Sequence, residues 1–165
     1  MADREKYATF LLGGIYFGLP AVRVQEVLEC LEIVPVPLAP PALPGIINLR
    51  GQILTVLDLR KRLQLPPLES AQQEDARMVV VRAKEGLITF LIDRVGEILD
   101  VDSASFEPPA ETLKASLLEV TTHVCKLQNR LLMVLDTEKI VQLPDVSASA
   151  FELEARQKLE KAPAS

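Results

Sequence analysis

A chain of 165 residues that is 48% hydrophobic can bury one core or two small joined ones. With 4% aromatics and no Trp, that core is left to Leu, Val and Ile, with no ring platform for stacking bases or sugars. Eighteen Lys and Arg against 23 Asp and Glu give a net charge of -5, which repels nucleic acid and anionic membranes, and no apolar run approaches membrane-spanning length.

In chain order, Tyr7 to Leu12 and Ile15 to Leu19 flank Gly13-Gly14, a dipeptide suited to positive φ at both positions of a tight turn, so the chain is predicted to begin with a β-hairpin. After Pro20, the valines Val22, Val24 and Val27 stand among Arg23, Gln25 and Glu26, a pattern that suits a short helical turn leading into a strand. Ile33 to Pro44 is dense in proline, which removes ladder donors and predicts an edge strand or a surface loop. Gly45 to Gly51 reads as a turn that leads into a buried strand, Gln52 to Leu57. Arg50 lies among apolar neighbours there, so it has to find a carboxylate or project from the surface. Asp58 is a candidate N-cap for a helical turn through Leu63, with Arg60-Lys61-Arg62 as its solvated face or as a complement to its C-terminal half, and Pro66-Pro67 as its stop.

Leu68 to Asp75 reads as a polar connection. Met78 to Val81, Leu87 to Ile92 and Val95 to Val101 read as three strands, and Asp102 to Glu111 as a loop. Val120 to Leu127 and Arg130 to Leu135 should pair around Gln128-Asn129, with Asn129 as a positive-φ residue. Asp136 should cap a helix over Thr137 to Gln142 that ends near Pro144. Ser149 with Glu152 forms a capping box for a terminal helix, whose tail from Lys161 is expected to be disordered. Many short strands and few helices predict an all-β barrel or sandwich with minor helices. One phrase, an apolar run closed by Asp, recurs at Asp58, Asp93 and Asp136 and suggests related structural units.

Those three aspartates are the first candidates for acid–base chemistry, but each has a structural task at hand: Asp58 and Asp136 as helix caps, Asp93 as an ion-pair partner of the adjacent Arg94. His123 and Cys125, at i and i+2 on a strand, face the same side and are a conceivable nucleophile and base. No Gly-rich elbow or orienting group accompanies them, and no phosphate-binding loop is present. The cysteines Cys30 and Cys125 make neither a CxxC nor a zinc spacing, so no metal or cofactor is expected, and each is read as a small buried hydrophobe. The charged start, Met1 to Lys6, lacks a signal-type apolar core and predicts a cytoplasmic protein.

Asn48-Leu49-Arg50-Gly51, followed by an apolar strand and Val56-Leu57-Asp58-Leu59, resembles the signature of the CheW family of bacterial chemotaxis coupling proteins. Phe17-Gly18-Leu19-Pro20, Val24-Gln25-Glu26-Val27, Ile33 to Pro37, Phe90 to Val95 and Leu131 to Ile140 match that family in order and spacing, so the resemblance spans Tyr7 to Val141. It implies two interlocked five-stranded SH3-like barrels within residues 1–146, followed by a helix and tail over 147–165. It also implies a non-enzymatic adaptor, monomeric when free, that links the cytoplasmic tips of chemoreceptors to the regulatory domain of the histidine kinase CheA. The implied receptor-binding groove falls on Ala21, Val24, Val27 and Val95, an amphipathic helix lying on an apolar trough. Glu26 and Arg50 match a family pair thought to bridge. His123 departs from the Gly that many members carry before the Val124 to Leu127 strand. Two other readings stay open: an adaptor of a non-flagellar chemosensory-type pathway, and a small β-barrel enzyme using Cys125 and His123.

Overall fold

The computed structural model describes residues 4–66 and 70–143. The expected stop at Pro67, the start of the polar connection at Leu68, and the helix begun at Ser149 lie outside the described residues.

Among the described residues, eleven strands and three short α-helices make up the fold. The strands β1 (Arg4–Leu12) and β2 (Ile15–Pro20) form a hairpin around Gly13 and Gly14, which sit at φ 57 and 80, as a two-residue turn with positive φ at both positions requires. A 3-10 turn, Ala21–Arg23, then leads into β3 (Val24–Glu29). The strands β4 (Gly45–Leu49) and β5 (Gln52–Asp58) follow, with α1 (Leu59–Arg62). The second half repeats the order. β6 (Arg77–Ala83) and β7 (Gly86–Ile92) form a hairpin, β8 (Arg94–Asp102) follows, and β9 (Phe106–Glu107), α2 (Ala115–Leu118), β10 (Thr121–Lys126), β11 (Leu131–Leu135) and α3 (Thr137–Val141) complete it.

The two sheets run β8-β1-β2-β11-β10-β9 and β3-β6-β7-β5-β4, so each takes strands from both halves. The strand after each hairpin crosses over: β3 leaves β2 to pair with β6, and β8 leaves β7 to pair with β1. The two parallel pairings, β5 with β7 and β11 with β2, obey the same exchange. Six and five strands replace the five and five expected, the extra one being the two-residue β9.

The repeat extends to single hydrogen bonds. The amide of Asp58 donates to Ala42 O and that of Asp136 to Val120 O, both at 2.8 Å, and each aspartate then caps a helix. Asp58 accepts from the Lys61 amide, and Asp136 from the amides of Glu138 and Lys139, which would otherwise be unpaired. Asp93, the other copy of the recurring phrase, directly follows β7 and leads into β8, not into a helix.

Three apolar clusters hold the sheets. The largest, with Phe10, Leu12, Phe17, Val79, Val81 and Phe90, lies between them. The others lie within one sheet each: Tyr7, Tyr16, Cys125 and Leu132 in the six-stranded sheet, and Ile47, Leu54, Val56, Met78 and Val80 in the five-stranded one.

Several expectations are corrected. Gly45 to Leu49 is not a turn but strand β4, paired along its length with β5, and the turn is the Arg50-Gly51 dipeptide alone. The proline-dense segment takes the loop of the two forms expected for it, tied down by one bridge, Val34 with Ile46. Asn129 does not take positive φ; among the described non-glycine residues Leu38, Arg50 and Gln64 do. Asp93 does not pair with Arg94, an exposed residue whose backbone opens the β1–β8 ladder opposite Leu11, but with Arg60. Of the cluster Arg60-Lys61-Arg62 only Lys61 is solvated: Arg60 turns inward to Asp93, and Arg62 donates to the carbonyls of Ile140, Lys139 and Gln142 at 2.8, 2.9 and 3.1 Å, capping the C-terminal end of α3. Burial lowers the Arg62 pKa, with Glu119 opposing.

Candidate functional site

The two exchanged strands, β3 and β8, are each the outer strand of their sheet, and each carries a β-bulge. In β3, Val24 pairs with Val81 but Glu26 with Val80, which makes Gln25 the extra residue. A bulge reverses the alternation beyond it, so Val24 and Val27, three apart, come to one face, opposite Val81 and Val79 of the inter-sheet cluster. In β8 the same device puts Val95 opposite Phe10 and Ile98 opposite Ala8.

An apolar strip therefore rims the layer between the sheets. Val24 is half-buried against the core, whereas Val27 is 45% and Val95 39% exposed. Ala21, half-buried, opens the 3-10 turn just before Val24. Bulges explain why sequence reasoning could not orient these valines: a strict period of two would have placed Val24 and Val27 on opposite faces.

Glu26 points away from Val27, and Arg50 Nη2 donates to its Oε1. Arg50 sits at φ 50 and Gly51 at φ 88, so the β4–β5 turn has positive φ at both central positions, with Arg in a place that favours Asn or Gly. Asn48 closes this turn by accepting from the Gly51 amide at 2.8 Å, and Leu49 is buried in the five-stranded sheet's cluster. Since β3 and β4 are the two outer strands of that sheet, the Glu26–Arg50 pair ties its margins together.

His123 and Cys125 do not form a dyad. The ring nitrogens of His123 face Tyr7 Oη at 3.3 Å and Thr122 Oγ1 at 3.1 Å, and its ring stacks on Phe106 at 4.1 Å between centroids. Burial pushes the Cys125 thiol up to about 11, with Glu5 adding to the shift, so its thiolate is scarce at neutral pH. Tyr7 donates to Glu5 at 2.6 Å, and burial with that bond raises its pKa. No group of three His, Cys, Asp or Glu able to hold a metal occurs among the described residues, and no helix there is long and apolar enough to cross a membrane.

A cleft of about 450 Å3 lies beside α1, with Ile33, Leu65, Met78 and Leu91 among its walls. Both charges at its floor are already engaged: Arg60 Nε donates to Asp93 Oδ1 at 2.6 Å and Nη2 to Oδ2, which also accepts from the Gly13 amide at 2.9 Å. Asp58, at its rim, is the helix cap.

The fold is of the two-sheet β class with interlocked halves, and its three recurring aspartates are engaged in capping and pairing. Residues 6–145 match the family described as the CheW-like domain. The chain belongs to that family, and it is a non-enzymatic adaptor of chemotaxis signalling. It is 28% identical over 140 residues to the chemotaxis protein CheW of Treponema pallidum, covering 84% of this chain and 82% of the relative. It is 26% identical over 137 residues to that of Bacillus subtilis, covering 83% and 86%. A crystal structure of the scaffolding protein TtCheW from Thermoanaerobacter tengcongensis superposes with a TM-score of 0.77 at 26% identity, over 89% of this chain and 97% of that one.

Proposed function

We propose that this protein couples the cytoplasmic tip of chemoreceptors to the regulatory domain of the kinase CheA, acting in the cytoplasm and monomeric when free. Residues 1–146 form the coupling unit in this reading, and 147–165 lie beyond it. The observation that carries it is the apolar strip on two bulged outer strands and the turn before one of them: Ala21 from the 3-10 turn, Val24 and Val27 from one sheet and Val95 from the other. An amphipathic receptor helix laid along this strip buries side chains that now contact water. The Glu26–Arg50 pair holds β3 in register with the β4–β5 turn beside the strip, and the kinase domain docks on the sheets elsewhere.

Calorimetric titration against a receptor-tip fragment and against the regulatory domain of a CheA tests this. Saturable binding to both is expected, and Val27→Glu should abolish receptor binding while circular dichroism stays native. Binding of the folded wild-type protein to neither partner would overturn the reading.

A further inference from the structure

We propose that Val22 is a further contact of the receptor helix, and that Arg82 and Glu138 are positioning residues that hold it in place; this deepens, and rests on, the docking strip proposed above.

Val22 is 79% exposed, more than Val27 or Val95, and it directly follows Ala21 and stands two residues before Val24. It sits at the centre of the three-residue 3-10 turn, Ala21–Arg23, whose own backbone bond is the Val24 amide to Ala21 O. A turn so short would present an apolar side chain loosely. Here it is clamped from outside instead.

The clamp is reciprocal. Arg82, on β6, donates from Nη1 to Val22 O at 2.9 Å, and Arg23 donates from Nη1 to Arg82 O at 3.3 Å. Arg23 Nη1 also lies 3.7 Å from Glu138 Oε1 at the start of α3, and that same oxygen accepts from the Lys84 amide at 2.7 Å. Thus β6 and α3, both from the second half of the chain, fix a turn that belongs to the first half. Individually these exposed contacts add little to stability. Their effect is to remove the freedom a docking residue would otherwise lose on binding, which is how pre-organisation strengthens association.

The charge pattern fits an apolar occupant. Arg23 is paired with Glu138 and Arg50 with Glu26, and the third cation beside the turn, Arg82, is engaged by Val22 O. An apolar centre whose neighbouring cations are already engaged suits the middle of a protein interface, where free charge is depleted. The occupant is the apolar face of the receptor helix, extended by one contact past Val24 and Val27.

The experiment is a set of titrations of the full chain against a receptor-tip fragment and against the CheA regulatory domain, with thermal melts alongside. Val22→Asp, a surface change, should leave Tm unaltered and weaken receptor binding about tenfold or more, with kinase-domain affinity unchanged. Arg82→Met should weaken receptor binding about threefold, and Arg82→Lys, which keeps a donor for Val22 O, should restore most of it. Glu138→Gln should act in the same direction as Arg82→Met. If Val27→Glu loses the receptor while Val22→Asp keeps wild-type affinity, Val22 is no contact and the inference falls with the docking strip intact. If Arg82→Met and Glu138→Gln bind as wild type, the positioning role falls. If the wild type binds no receptor fragment, the docking strip fails, and the inference with it.

Discussion

Arg60 and Asp93 face each other across the two halves of the chain. Arg60, in the first helix, places two guanidinium nitrogens on the carboxylate of Asp93, at the end of β7, and the two side chains are only 11% and 13% exposed. This hydrogen bonding to Asp93 raises the Arg60 pKa against an opposing effect of burial. Because Asp93 also accepts from the Gly13 amide, the carboxylate joins the β1–β2 turn, β7 and α1. Removing one partner leaves the other buried without its counter-charge. Arg60→Ala or Asp93→Ala is therefore expected to cost about 3 kcal/mol in urea unfolding. The double variant should cost clearly less than the two singles added, and strict additivity would mean that the two charges do not interact.

The Glu26–Arg50 pair should behave differently, since the Arg50 side chain is 68% exposed. Arg50→Ala is expected to change unfolding free energy by less than about 1 kcal/mol. The same variant should weaken receptor binding, because β3 loses its tie to the β4–β5 turn. A loss of several kcal/mol in stability with binding retained would make the pair structural.

These two ion pairs also separate what the sequence reveals from what it hides. Gly13-Gly14, and the caps Asp58 and Asp136, are legible because they act on neighbours within a few residues. The partner of Asp93 lies 33 residues away, and the adjacent Arg94 is a plausible decoy that only the β1–β8 ladder removes from play. Strand β4 is hidden because its turn carries Arg50 where a hairpin signal would carry Asn or Gly. The bulge at Gln25 leaves no local trace, and the one before Ile98 is marked only by Gly96. Ala21, Val24, Val27 and Val95 could thus be proposed from family resemblance, but their shared face follows only from strand register.

Gly45 sits against the proline-dense loop so closely that an added Cβ would lie 2.1 Å from Val34 O. That same carbonyl accepts from the Ile46 amide at 2.9 Å, and Val34 N donates back to Ile46 O at 2.8 Å. A methyl group there has to push the loop off β4 and break this bridge. Gly45→Ala is expected to destabilise the protein by about 2 kcal/mol or more, read from the urea midpoint. A variant as stable as wild type would mean that the loop yields without cost.

The two thiols should differ sharply in reactivity. Cys125 is fully buried beside Tyr7, Leu132 and Val134, whereas Cys30 is exposed. Burial raises both pKa values, with Arg77 opposing the shift at Cys30. Titration with a disulfide reagent in native buffer should modify Cys30 alone, and the second thiol only with unfolding. Cys125→Ser should leave partner binding intact while costing about 1 kcal/mol or more, because a hydroxyl replaces a sulfur in an apolar cluster. Fast modification of Cys125 in the folded protein would contradict its placement.

His123 predicts a pH dependence whose sign can be worked out. Burial lowers its pKa below the ordinary value, and Glu5 opposes that shift without cancelling it. The native state therefore resists protonation at a pH where the unfolded chain, titrating near about 6.5, already takes up a proton. The stability this contributes is full above the unfolded value and is lost as pH falls through it toward the lower native pKa. The groups facing the ring are Tyr7, Thr122 and Phe106, with Glu5 reached through Tyr7. Urea midpoints measured from about pH 7.5 to about pH 5.5 should fall for the wild type. His123→Gln should flatten part of that fall. Parallel curves for the two proteins across this window would mean that the imidazole is as readily charged in the fold as in water.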